Sequence, residues 1–152
     1  MIVLADTGSI SYKIVLFLHI ISAFVAFAPG FVNPVVNAMG RQSAPEAMKP
    51  LADLQVRAGR TLYLPALVAT GILGAGLVVM SGETWKFSQT WVSLAFLCWI
   101  AVGLIVALKI IPSEKAVAAG DEAAAKAVAM FGGIAHLLFA VLIYLMVFKP
   151  GA

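Results

Sequence analysis

The chain has 152 residues, 62% of them hydrophobic and 11% charged, with a mean hydropathy of +1.04 and a formal charge of +3. Soluble domains carry about a quarter charged residues, so this composition excludes an ordinary soluble domain and indicates a single membrane domain over residues 1–152, with lipid as its first partner. The small positive balance requires no nucleic acid, and the one cysteine, Cys98, rules out an internal disulfide and a two-cysteine metal site.

A hydrocarbon core of about 30 Å takes about 20 helical residues, and four segments supply them: about 11–33, 61–80, 90–111 and 128–148. Before the first span, MIVLADTGSISYK has neither a basic leader nor a small-residue cleavage site, so this span is expected to be retained. Pro29 and Pro34, with Asn33 and Asn37, predict an irregular end to span 1, and GRQSAP at 40–45 terminates the region. After Pro45 and Pro50, the amphipathic LADLQVRAGR reads as a helical prelude to span 2. Gly71, Gly74 and Gly76 lie mid-span and read as helix-contact positions rather than a phosphate loop. Ser81-Gly82-Glu83 closes span 2, and Pro112-Ser113-Glu114 closes span 3, which holds Cys98 as a small packing residue. Gly120-Asp121-Glu122 then offers an N-cap and an acidic first turn, so the last helix is expected to begin in water near Asp121.

Orientation follows from the basic residues. The links 1–2 and 3–4 share a face with Arg41, Lys49, Arg57, Arg60, Lys109, Lys115 and Lys126, whereas Lys13, Lys86 and Lys149 lie on the other. Seven against three places the first face in the cytoplasm and both termini in the periplasm of a bacterial inner membrane. Tyr12, Trp85 and Trp91 then fall at the outer interface, which suits their amphipathic rings. The expected fold is an all-α, antiparallel, multi-pass four-helix bundle.

The chain has two histidines, His19 in LFLHIISAFVAFAPG and His136 in GGIAHLLFAVLIYLMVFKP, each within a strongly apolar stretch. An ionisable group in lipid is costly and by default faces a helix or a cavity. At helical spacing His19 is flanked by Ser22, Ala23, Ala26 and Gly30, and His136 by Ala129, Gly133 and Ala140. Such stripes of small residues admit a neighbouring helix or a flat cofactor, while Leu18, Phe24, Leu138 and Tyr144 lie off them, toward lipid. Counted from Tyr12 and Phe148, the histidines lie about 10 Å and about 18 Å from the outer ends of spans 1 and 4, within reach of a common depth once helix ends shift by a few residues. Two neutral imidazoles facing each other between these spans would form the axial pair of a b-type heme, with Ser22, Ala26 and Gly133 beside it.

Other readings stand beside this one. Each histidine can bond a backbone carbonyl or a hydroxyl and tie helices together, worth about 1 kcal/mol. Two histidines do not close a zinc site; copper would draw on Met39, Met80, Met130 or Met146, although these lack Met-x-x-Met spacing. No Asp or Glu lies within a span, so a transporter driven by membrane carboxylates is disfavoured. The Gly/Ala faces also suit a non-catalytic accessory subunit of a larger, respiratory-type membrane complex, or a homo-oligomer.

The first span, YKIVLFLHIISAFVAFAPGFVNP, resembles that of a superfamily of small four-helix membrane proteins. It comprises the domain of unknown function 2269 family, CopD-like copper-resistance proteins and protoporphyrinogen oxidases of the HemJ type. The resemblance rests on Leu18-His19-Ile20-Ile21, on the small-residue turn Ala28 to Gly30 and on the closing YLMVFKP at 144–150. It implies a four-span bundle and, by likeness to the oxidase branch, a heme-linked His19. The chain departs from that branch where it reads FSQTWVSL at the start of span 3, in place of a lysine, and at His136, near an expected Asn-Glu pair. The resemblance therefore carries the fold and the first-span histidine rather than the oxidase reaction.

Overall fold

The computed structural model describes residues 7–121 and 123–152. The reading of the leader and the acidic Glu122 of the last helix thus fall wholly or partly outside the described residues. Those described form helices and connecting turns without a strand. The helices are α1 (Ile10–Ser43), α2 (Met48–Ala58), α3 (Leu64–Met80), α4 (Thr90–Ile105), α5 (Ile111–Ala118) and α6 (Ala124–Phe148). Five-residue π-helical turns join α2 to α3 over Gly59–Tyr63 and α4 to α5 over Val106–Ile110. Continuous helix therefore runs from Met48 to Met80 and from Thr90 to Ala118, and together with α1 and α6 four helices are long and apolar enough to cross a membrane. The all-α four-span bundle expected from the sequence is the fold.

The bundle is built as two antiparallel pairs. α1 packs chiefly on α3 and α4 chiefly on α6, while α2 and α5 pack together at the end where α1 finishes. The apolar exterior is wide: Phe24 is 69% exposed and Leu137 71% exposed. Side chains of this kind over whole helices mark a surface whose solvent is hydrocarbon. Leu18 and Tyr144 are exposed with them, and Leu138 is half-buried.

One feature of α1 differs from the sequence reading. The helix does not become irregular at Pro29 and Pro34 but continues unbroken through both to Ser43. Membrane helices tolerate proline because neighbouring groups compensate for the missing N–H. Here the polar end beyond them is held from outside: Gln55 Nε2 on α2 donates to Asn37 Oδ1 at 3.0 Å, and the reciprocal amide contact is 3.4 Å. The opposite end of the bundle differs as well. Tyr12 and Trp91 stand there but are 8% and 6% exposed, packed inward rather than turned to an interface. Trp91, Val92, Ala95 and Leu145 form a core between α4 and α6, extended by Val78, Trp85, Phe96 and Leu142. α6 begins behind Asp121, whose Oδ1 accepts from the Ala123 and Ala124 N–H groups at 3.0 and 3.4 Å.

The two pairs meet where Trp99 of α4 lies on α3. Its Nε1 donates to the Leu67 carbonyl at 2.8 Å, and its ring occupies the place a Cβ on Gly71 would take. Only glycine leaves room there. Gly71→Leu should force the indole out and cost about 1–3 kcal/mol through overpacking, whereas Trp99→Phe should lose the interhelical bond, about 1 kcal/mol, together with the indole atoms packed on Gly71. Unfolding of the detergent-solubilised protein measures both, and a Gly71→Leu protein as stable as the parent would contradict this packing.

Candidate functional site

His19 sits on α1, half-buried, with its ring against α3. Nδ1 lies 2.9 Å from the Thr70 carbonyl. A carbonyl only accepts, so Nδ1 carries the proton and donates, which leaves Nε2 of the neutral ring as the acceptor on its far side. Gly74, one turn along α3, makes the approach possible: a Cβ there would stand 3.2 Å from Cε1 and 3.5 Å from Nδ1. Ser22, one turn beyond His19, donates to the His19 carbonyl at 2.9 Å and accepts from Thr70 Oγ1 at 3.0 Å. The Thr70 hydroxyl has one proton, shared between Ser22 and the Ala66 carbonyl 2.8 Å away. His19, Ser22 and Thr70 thus form a closed polar patch between spans 1 and 2, and Thr70 is only 8% exposed.

His136 is placed differently. Its Nδ1 donates within its own helix to the Gly132 carbonyl at 2.7 Å. The other edge of the ring meets α1 at Gly30, where a Cβ would lie 2.8 Å from both Cε1 and Nε2. Phe31 stands edge-on to this imidazole at 4.8 Å, and Phe27 stacks on Phe139 at 3.9 Å, so an aromatic cluster surrounds the contact between α1 and α6.

These contacts fix the relative depth of the two histidines. His136 is level with Gly30, which is eleven residues along α1 from His19, about 16 Å of helix. Axial nitrogens on one metal stand about 4 Å apart, given metal–nitrogen bonds of about 2 Å. The common depth expected from the sequence is therefore not what the structure has, and His19 and His136 do not face one another. The expectation counted from helix ends and took the outer ends of spans 1 and 4 as level. In the bundle, the level of Phe148 falls about eight residues inside the start of α1, so span 1 extends beyond span 4 at that end.

Of the other residues read as cofactor neighbours, Ser22 is in the polar patch and Ala26 is half-buried on α1. Gly133 is exposed, and a Cβ on it would meet nothing within 4 Å. The structure thus brings Ser22 to His19 but not Gly133. As a test of fit for heme, His19 has the donor chemistry: one nitrogen is held by a carbonyl and the other retains its lone pair. His136 does not fit in this packing, because the approach to its Nε2 is filled by the α1 backbone. The methionines are spread along the bundle, Met39 and Met130 toward the Arg41 end and Met80 and Met146 toward the other. Among the described residues no three His, Cys, Asp or Glu side chains group as metal ligands. Thr70 is the residue that sequence reasoning missed. Its signal was available, since Thr70-Gly71 and Gly74 place a hydroxyl and two small residues on one part of an otherwise apolar span.

A family model described as "Predicted integral membrane protein (DUF2269)" matches residues 13–150. No curated protein and no solved structure matches the chain. The match takes in all four spans and both histidines, and the chain belongs to the domain of unknown function 2269 family of integral membrane proteins.

Proposed function

We propose that the protein binds a b-type heme through His19 alone, as a redox or heme-handling component of a bacterial inner membrane. The observation that carries this reading is the 2.9 Å contact between His19 Nδ1 and the Thr70 carbonyl. Metal-ligating histidines donate their second ring nitrogen to a carbonyl or carboxylate, which fixes the tautomer and raises the basicity of the ligating nitrogen. The patch with Ser22 and Thr70 is what such a ligand needs behind it: the ring orientation is set, the proton is on Nδ1, and Nε2 keeps its lone pair. Heme, if bound, would supply the redox chemistry, and His19 would hold the iron through Nε2.

Single ligation sets the expected spectrum. Protein expressed with ample heme should carry a five-coordinate, high-spin b-type heme. His19→Ala should lose it, and His136→Ala should retain it with the spectrum unchanged. A colourless parent protein ends the heme reading. A low-spin spectrum lost equally in both variants would overturn single ligation and require spans 1 and 4 to rearrange until both imidazoles reach one iron.

A second reading, an accessory subunit or a homo-oligomer, rests on a separate observation. Cβ atoms on Gly76, Gly103, Gly132 and Gly133 would meet nothing within 4 Å, so small-residue positions on three spans have no helix of this chain against them. Small residues of this kind are used where membrane helices pack closely. Light scattering in mild detergent, giving the protein mass apart from the micelle, separates an oligomer from a monomer.

Both readings share one orientation, termini in the periplasm, supported by the seven-to-three division of basic residues. In a Cys98→Ser background, Gly151→Cys should react with a membrane-impermeant maleimide added to whole spheroplasts. Labelling only after the membrane is broken would reverse the topology.

A further inference from the structure

The connection between α3 and α4 is short, polar and tightly built. Ser81, with 0% exposure, anchors it: its Oγ accepts from the Trp85 N–H at 2.9 Å and donates to the Val78 carbonyl at 2.8 Å, with the Trp85 carbonyl 3.2 Å away. Gly82 and Glu83 both take positive φ, 59° and 70°. For glycine this is free, but for glutamate it is a sparsely populated conformation that persists only where the surroundings impose it. The second half of the connection is fixed as firmly. The Lys86 N–H donates to Gln89 Oε1 at 3.1 Å, and Ser93 Oγ donates to the Phe87 carbonyl at 2.7 Å.

This scaffold frames a groove of about 360 Å³ lined by Val78, Val79, Glu83, Trp85, Lys86 and Phe87. Its chemistry divides by height. Val78 and Val79 belong to the last turns of α3, within the apolar span, and Phe87 is half exposed beside them. Glu83 and Lys86 stand at the mouth, where the chain leaves the hydrocarbon, with Lys86 Nζ 3.8 Å from Glu83 Oε2. Both are exposed, so the pair is held weakly and each charge is free to take another partner. The Lys149 ammonium lies over the ring of Trp85, one wall of the groove, 4.7 Å from its centroid, a contact that favours this position of the ring.

The geometry points to this groove as a seat for one zwitterionic phospholipid with a primary amine, a phosphatidylethanolamine. Its phosphate is taken by Lys86, its ammonium by Glu83, and the start of an acyl chain lies on Val78, Val79 and Phe87. Charge complementarity selects this occupant. At the rim Lys86 and Glu83 set a cation and an anion a few ångströms apart, as the headgroup does with opposite signs, while the Lys149 ammonium is engaged by the Trp85 ring. A headgroup with phosphate alone leaves Glu83 facing a like charge, and a choline headgroup has no N–H to give the carboxylate. The positive φ at Glu83 gains a reason in the same arrangement, because it fixes the turn that carries the carboxylate to the rim. The proposal is independent of heme binding at His19.

Native mass spectrometry of the full-length protein tests it, in detergent with an equimolar mixture of palmitoyl-oleoyl phosphatidylethanolamine, phosphatidylglycerol and phosphatidylcholine. The parent should retain one phosphatidylethanolamine at about five-fold or more over either competitor. Glu83→Gln should abolish that preference and raise phosphatidylglycerol retention, and Lys86→Met should lower retention of all three lipids. Both side chains are exposed and bonded to little else, so the variants should unfold at the temperature of the parent. Equal retention of the three lipids by the parent would overturn the proposal. So would a preference that survives both substitutions.

Discussion

A carbonyl in a membrane helix has a second lone pair and no water to give it. In this bundle the Leu67 and Thr70 carbonyls of α3 are used in that way, one accepting the indole N–H of Trp99 and the other the imidazole N–H of His19. The donors come from different helices, α4 and α1, and the carbonyls lie three residues apart. Each contact requires backbone proximity, and Gly71 and Gly74 provide it by having no Cβ where the rings lie. In lipid the exclusion of apolar surface from water gives helices no reason to associate, so such fitted polar contacts, with close packing, decide which helix touches which. α3 is the helix on which the arrangement of the others depends.

The placement of His19 follows from this constraint. An imidazole in hydrocarbon must find a partner, and His19 finds it in the second lone pair of the Thr70 carbonyl. Once that bond forms, the tautomer is settled and Nε2 is the nitrogen that remains. His136 meets the same need within its own helix, through Gly132, and so owes nothing to a neighbouring span for its hydrogen bond. Its contact with Gly30 is steric. Two residues of one type, each on a stripe of small residues, thus have different physical roles.

The fold was legible because four long apolar runs separated by Gly, Pro and charge admit few other structures in so short a chain. Two of the three contact glycines were legible too: Gly71 and Gly74 lie where rings approach the backbone, whereas Gly76 meets no helix of this chain. What the sequence did not contain was the vertical offset between helices. Depth counted from Tyr12 and Phe148 presumes that helix ends align, and the stagger of α1 against α6 comes from packing, which leaves no local mark in either span. The same limit hid the inward turn of Trp91 and Tyr12, since an aromatic residue near a helix end reads alike whether it faces lipid or core. Pro29 and Pro34 misled in another way. They predict an irregular end, yet α1 runs through both, and the amide of Asn37 beyond them is paired with Gln55 on a different helix.

The stripe on α1 has a geometrical consequence. Eleven residues at about 100° each return to within about 20° of the same direction, so His19 and Gly30 lie on nearly one face, yet that face meets α3 at one height and α6 at another. A rod pinned at a single height can still swivel about the pin. Pinned at two heights to two bodies that are themselves joined through Trp99, it can neither slide nor roll unless both contacts break together. Among the described residues span 1 has the fewest buried side chains, and it is held by two fitted contacts rather than by a packed core.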